Sequence, residues 1–399
     1  MLRTLRELDV QNKWVLVRVD FNAPLKSGAV ADDHKLRASL PTIKYLLKRK
    51  AKVILLSHLG RPGGKAVEHL RMDPIARQLA KLLNRPVQKL DDCLGQQVRK
   101  TIAQMREAEI VLLENVRFYK QEEENDEKFA RSLAGLADVF INDAFGTAHR
   151  AHASNYGVAR FLPSAAGLLL EKEVKMLSRI TQNPRRPFMA IVGGAKLQDK
   201  IGVLKDLLDK VDSFLLGGGI AFTFLKALGY SVGKSIVAEH LISEAKDFMK
   251  QASQAKVEVV LPADVRIAQA FDAKGQAKTV KVDEIKGGWL GLDIGPQTIK
   301  AFKQRIARAR TLVWAGPLGA FELKRFAKGT KEIAKAVAES KAFAVIGGGE
   351  TAQAIEQFSL AHAKNIYIST GGGAALEFMG GRKLPAIEIL RKPSSLDRA

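Results

Sequence analysis

Short runs of consecutive apolar residues alternate with helical periodicity along the whole chain. The first half carries such runs at 14–19, 53–56, 110–113 and 139–141. The second half carries them at 188–192, 213–216, 311–314, 343–346 and 365–368. Runs this short, with no polar positions alternating into them, predict strands buried on both faces. Most are separated by 10–20 residues of amphipathic helical pattern, as at 74–83. That alternation predicts parallel sheets covered by helices on both sides. Residues 171–180 read as a connecting helix, broken by Asn183-Pro184-Arg185-Arg186-Pro187. The expected fold class is α/β, with two doubly wound, Rossmann-like parallel-sheet domains joined by that helix.

The residues that end the strands divide the chain chemically. In the first half they are polar or charged: Asp20 and Asn22, then Ser57, His58 and Arg61, then Glu114, Asn115 and Arg117, then Asn142, Asp143, His149 and Arg150. In the second half they are glycines: Gly193-Gly194, Gly217-Gly218-Gly219, Gly316, Gly347-Gly348-Gly349 and Gly371-Gly372-Gly373. Open parallel sheets bind ligands beyond the carboxyl ends of their strands, so function is expected at these positions. Glycine there lets backbone N–H groups approach a phosphate, and the next helix N-terminus favours its charge. Five such junctions point to nucleotide or phosphate binding more than to tight-turn geometry alone. His58, Arg61, Arg117 and Arg150 would converge on one edge and suit a small phosphorylated carboxylate, because guanidinium groups pair with planar oxygens.

Several other patterns fail on spacing. Gly229-Tyr-Ser-Val-Gly-Lys-Ser235 is one residue short of a P-loop and follows a helix. No strand precedes a G-x-G-x-x-G fingerprint. His149 and His152 lack a third ligand at metal-site spacing. The acidic run Glu122-Glu-Glu-Asn-Asp126 reads as a solvated helix start. No Ser-His-Asp or Cys-His arrangement suggests a covalent enzyme intermediate.

Composition refines this picture. The 399 residues are 46% hydrophobic and 27% charged, which excludes wholesale disorder and leaves room for two or three domains. One cysteine, Cys93, precludes an internal disulfide and fits a reducing compartment. The first residues lack an apolar leader, and the longest greasy stretch, near 214–225, is interrupted by glycines and too short to cross a bilayer. A cytoplasmic protein without membrane association is therefore expected. The 64 basic and 42 acidic side chains give a net charge of +22. Such a surplus favours anionic ligands. The basic residues are spread along amphipathic stretches, with no aromatic-rich RNA-binding signature. A solvated basic surface is thus preferred over a nucleic-acid partner.

Eight ordered segments raise the specificity of the reading. They are Val17-Arg-Val-Asp-Phe-Asn-Ala-Pro24, Ser57-His-Leu-Gly-Arg-Pro62, Leu113-Glu-Asn-Val-Arg-Phe118, the stretch from Asn142 to Ser154, and Gly193-Gly-Ala-Lys-Leu-Gln-Asp-Lys-Ile201. Trp314-Ala-Gly-Pro-Leu-Gly-Ala-Phe-Glu322, Gly347-Gly-Gly-Glu-Thr351 and Ser369-Thr-Gly-Gly-Gly373 complete the set. Through them the chain resembles phosphoglycerate kinases over essentially its whole length. The resemblance implies a monomeric, hinge-bending glycolytic transferase that moves phosphate between 1,3-bisphosphoglycerate and ADP, giving 3-phosphoglycerate and ATP, with Mg2+. It implies a phosphoglycerate-binding domain at 1–165, an interdomain helix at 166–182 and a nucleotide-binding domain at 183–381, with 382–399 packing back on the first domain. Asp20, Phe21, Asn22, Lys35, His58, Leu59, Gly60, Arg61, Arg117 and Arg150 would hold the triose. Lys35, Lys196 and Lys200 would act on the transferring group. Lys200, Gly217, Gly218, Gly316, Glu322, Gly348, Gly349, Glu350 and Thr351 would hold the nucleotide, with Glu350 also toward the metal.

Three positions depart from the family pattern. Lys35 stands where the family has arginine, Glu350 where it has aspartate, and Ala315 where it has asparagine. Lysine keeps the charge of arginine without its planar fork. Arg37 would compensate only if the backbone shifts. The alternatives are a weakened paralogue that binds ligand in a regulatory or scaffold role and, with less support, a basic nucleic-acid binder.

Overall fold

The computed structural model describes residues 1–272 and 274–392. It consists of two compact units, residues 1–175 with 383–392, and Met176–Arg382. The division falls inside the helix Leu168–Thr181, whereas the sequence pattern placed the whole helix between two domains.

The first unit is built on six parallel strands: β1 (Trp14–Arg18), β2 (Lys52–Leu56), β3 (Gln88–Lys89), β4 (Ile110–Leu112), β5 (Val139–Asn142) and β6 (Ser164–Ala166). Their spatial order is β3-β4-β2-β1-β5-β6. Register places Val15, Val17, Val53, Leu55, Ile110, Leu112, Val139 and Ile141 on one face, in one core cluster. Leu16, Ile54, Leu56, Val111 and Phe140 fill a second cluster on the other face. Strands buried on both faces account for the uninterrupted apolar runs. The chain returns to this unit at its end: Arg3 N–H donates to Leu390 O, Lys392 N–H to Met1 O, and Ala386 N–H to Ala148 O. Residues 393–399 of the expected return lie outside the described residues.

The second unit holds another six-stranded parallel sheet, comprising β7 (Phe188–Val192), β8 (Ser213–Leu216), β9 (Glu258–Val260), β13 (Thr311–Ala315), β14 (Phe343–Gly347) and β15 (Ile366–Ile368). The order is β9-β8-β7-β13-β14-β15. Strands β10 (Asp264–Ala268), β11 (Ala277–Lys281) and β12 (Leu290–Ile294) form a separate antiparallel sheet that the apolar runs did not reveal. β11 is half exposed and its pattern polar, so it carries no buried-strand signature. In each parallel sheet the order reverses beside the first strand, between β1 and β5 and between β7 and β13. These switch points are where open α/β sheets bind ligands.

The helix Leu168–Thr181 starts on side chains from the first unit. Asp143 accepts from Leu169 N–H at 2.9 Å and Leu170 N–H at 3.3 Å, and Thr42 Oγ accepts from Leu168 N–H at 2.9 Å. A Cβ on Gly167 would stand 2.1 Å from Asp143 Oδ1, so glycine is required for this approach. Burial pushes the Asp143 carboxyl up to about 7, against the pull of Thr42 and the two amides. A folded-state value above the unfolded one gives stability that is full below about 4 and falls as pH rises to about 7. Asp143→Asn keeps the acceptor oxygen without the charge. Relative to the parent it should gain about 2 kcal/mol at pH 8 and little at pH 4. Urea melts at the two pH values read this difference, and an equal shift at both would refute it.

Candidate functional site

In the first unit, the polar strand ends come together around the β1/β5 switch point. Asp20, just past β1, is buried and accepts a hydrogen bond from Lys35 Nζ at 2.9 Å. Burial raises its carboxyl, but Lys35 and the other cations outweigh this and hold it at about 2. Asn22 Oδ1 accepts from Gly60 N–H at 2.9 Å, and Arg117 Nη1 donates to Gly60 O at 3.0 Å. Gly60 has φ +65°, a conformation that favours glycine. Asn115 brackets Leu59, accepting from its N–H at 3.2 Å and donating to its carbonyl at 2.7 Å. Phe21 N–H donates to Ser57 Oγ at 2.9 Å. The loops after β1, β2 and β4 are therefore tied into one frame.

His58 is buried in that frame, and desolvation, with Arg18 next, holds its ring well below the ordinary imidazole range. It stays neutral at physiological pH. Burial and Arg150 likewise depress His149, to about 4, and Arg150 Nε donates to His149 Nε2 at 3.2 Å. Arg61 and Arg150 are exposed, whereas Arg117 is buried. A small acidic molecule here would meet several guanidinium groups and one ammonium, with Asp20 already neutralised by Lys35.

One condition is not met and one expectation is corrected. Arg37 does not stand in for the missing arginine: its Nε and Nη2 pair with Asp33 Oδ1 and Oδ2 at 2.7 and 3.0 Å on an exposed helix face. Helical spacing separates it from Lys35, because residues two apart point in different directions. Glu122 is not a solvated helix start either. It is fully buried and accepts from Ser154 N–H at 2.8 Å and Ser154 Oγ at 2.6 Å.

In the second unit, glycines line a cavity of about 470 Å³. Its wall includes Gly194, Gly218, Gly219, Phe222, Phe271 and Leu292, with Glu322 and Glu350 also bordering it. The cavity is mainly apolar, as a planar base requires. Phe271 and Leu292 went unrecognised in the sequence because they follow no strand–glycine junction; Phe222 lies on the helix that starts at Gly218, where the apolar run gives no sign of which side chain faces the cavity. Phe271 is 62% exposed, a large apolar side chain with a reason to be there once a base is stacked nearby. Gly217 is buried beside Leu318, and Gly316 N–H donates to Thr351 Oγ at 2.7 Å. Gly348 precedes the helix Gly349–Gln357, whose first turn carries Glu350. Lys200 lies by Gly194; burial lowers its ammonium, opposed by Glu350 and Asp199. Lys196 is exposed and, among the described residues, forms no ion pair. Ala315 ends β13 and offers no side-chain donor.

Two parallel-sheet α/β units, one with a cluster of cations at its strand ends and the other with a glycine-walled apolar cavity, suit an enzyme of the phosphotransferase class. The particular family follows from comparison. The family model "Phosphoglycerate kinase" matches residues 5–382. A phosphoglycerate kinase from Pelotomaculum thermopropionicum is 53% identical over 97% of this chain and 98% of its own length. One from Dictyoglomus turgidum is 50% identical over the same shares. Solved phosphoglycerate kinases from Coxiella burnetii and Pyrococcus horikoshii OT3 superpose with TM-scores of 0.85 and 0.83 at 41% and 33% identity. They cover 98% of this chain and 99% and 98% of their own. The chain belongs to the phosphoglycerate kinase family, the kinases of glycolysis. Among the described residues no helix is long and apolar enough to cross a membrane.

Proposed function

We propose that this chain transfers a phosphoryl group reversibly between 1,3-bisphosphoglycerate and ADP, binding the triose on the first unit and the nucleotide on the second. The observation that carries the reading is the placement of two unlike anion-compatible sites at the switch points of two parallel sheets. Asp20, Asn22, His58, Arg61, Arg117 and Arg150 with the Phe21, Leu59 and Gly60 backbone would hold the triose. Gly217, Gly218, Gly316, Gly348, Gly349, Thr351 and Glu322 would hold ADP or ATP.

In the direction of ATP consumption the nucleophile is the carboxylate of 3-phosphoglycerate, already ionised at neutral pH. No general base is needed, and the neutral His58 serves as a hydrogen-bond donor. What remains is alignment and stabilisation of the charge on the moving group, the work of Lys35, Lys196 and Lys200 on closure of the two units. Glu350 is an exposed carboxylate on the cavity wall, and among the described residues no group of three or more metal-ligating side chains exists. That donor set fits Mg2+ arriving with nucleotide phosphates and water as its other ligands. The ion would neutralise phosphate charge. The same reading takes the protein as a cytoplasmic monomer.

The test is ATP-dependent phosphorylation of 3-phosphoglycerate in a coupled assay, with parent and Lys35→Arg side by side. The parent should turn over. The variant should be about two- to tenfold faster, since arginine can pair with Asp20 and keep an N–H for the substrate. No turnover by a parent that binds both ligands would favour the weakened paralogue.

A further inference from the structure

Behind the triose site runs a buried polar chain that the proposed reaction does not use. Arg18, on β1, is fully buried. Its Nε donates to Ser154 Oγ at 2.7 Å, its Nη1 to the Val19 carbonyl, and its Nη2 lies 3.2 Å from His58 Nδ1. Ser154 in turn donates from Oγ and N–H to Glu122, whose carboxylate is sealed from solvent and supplies a countercharge to the guanidinium. Guanidinium has five donors and no acceptor. The contact with His58 therefore has one polarity: Nη2 donates and Nδ1 accepts. A neutral imidazole that accepts at Nδ1 carries its proton on Nε2.

Among the described residues His58 Nε2 makes no hydrogen bond, and it is not one of the sealed, unpartnered side-chain atoms. It is the one nitrogen of the ring left for a ligand. We infer that Arg18, held by Ser154 and Glu122, is a positioning residue that fixes His58 as a neutral ring donating from Nε2 to the bound triose. The inference rests on the reading of this site as the triose site. It gives the fully buried arginine a use: its fixed planar fork holds Ser154 and His58 from one side chain, a geometry a lysine ammonium lacks. It also separates two uses of cations. Arg117 and Arg150 supply charge to the ligand, whereas Arg18 acts through the ring. The charged groups that face His58 are Arg18, Asp20, Arg117 and Lys35; burial first, and then the three cations against the pull of Asp20, keep the ring from protonating.

The experiment uses the full chain with 15N-labelled histidine. In the free protein the His58 ring should show Nδ1 unprotonated and Nε2 protonated from pH 6 to pH 8. A proton on Nδ1, or a doubly protonated ring at pH 6, would overturn the inference. In Arg18→Lys, which keeps the charge opposite Glu122, the tautomers should mix. KM for 3-phosphoglycerate should rise about tenfold, with kcat within about threefold of the parent and KM for ATP unchanged. A folded Arg18→Lys with the parent's spectrum and KM would also overturn it. Should that variant not fold, Ser154→Ala removes the oxygen that holds Arg18 Nε. It should raise the triose KM about threefold, and an unchanged KM counts against the network. A parent with no turnover of 3-phosphoglycerate would remove the functional reading, while the spectrum of the free protein would still decide the tautomer.

Discussion

Lys196→Ala should lower turnover by about 10²–10³-fold while changing the Kd for ATP by less than about tenfold. The asymmetry follows from where the charge is needed. In the ground state a nucleotide would already be held by apolar contact with the cavity wall around Phe222, Phe271 and Leu292. During transfer, negative charge spreads over the oxygens of the moving phosphoryl group, and an ammonium aimed there stabilises the transition state selectively. Lys196 is exposed and uncommitted to any ion pair among the described residues, unlike Lys35, which is bound to Asp20. Its charge is therefore free for the substrate. Lys196→Arg should recover part of the loss. Calorimetry with ATP and a coupled assay separate the two quantities; parallel losses in binding and turnover would deny Lys196 the transfer role.

Gly316→Ala is expected to reduce kcat/KM for ATP about a hundredfold. Gly316 stands at φ +91° at the end of β13, and a Cβ there would lie 2.3 Å from Gly193 O, 2.4 Å from Gly193 C and 2.8 Å from Gly194 N. All three are backbone atoms, so no rotamer change relieves the clash. The strand ends at the β7/β13 switch point must part, and they carry the Gly193-Gly194 turn that borders the cavity. A displacement of about 1 Å in a binding frame can cost about 10² in rate. The left-handed backbone adds strain of about 1–2 kcal/mol to the second unit. The variant should therefore melt earlier and bind ATP more weakly, while 3-phosphoglycerate affinity, on the first unit, stays near the parent value. Loss of both affinities together would contradict the assignment of ligands to separate units.

Both expectations separate what the local pattern carries from what packing decides. Nine of the twelve parallel strands were legible because burial on both faces leaves runs such as Phe188–Val192 with no polar residue to confuse the period, whereas Gln88–Lys89, Ser164–Ala166 and Glu258–Val260 are too short or too polar to leave such a run. The polar strand ends Asp20, Asn22, His58, Arg117 and Arg150, and the glycine ends of the second unit, were legible because parallel topology puts every strand's carboxyl end on one edge. The antiparallel sheet β10–β12 was not. Polar residues interrupt its strands, β11 is mostly polar, and its contribution to the cavity comes from Phe271 and Leu292 folding over from outside the repeated strand–glycine pattern.

The sequence by itself determined the fold class, the chemical division between the two halves and the family, because each rests on residue types at fixed spacing. Tertiary structure alone decided which partner each charge would take. Lys35 reaches Asp20, on the loop after β1, although Arg37, two positions along the same helix, takes the local partner Asp33 that helical spacing offers. Glu122 sits inside the protein, although the run that contains it is acidic. Arg18 meets Ser154, 136 positions away, because β1 passes beside the loop that follows β5. Charge is a property of a residue; the burial and the partner that set its energy belong to the fold.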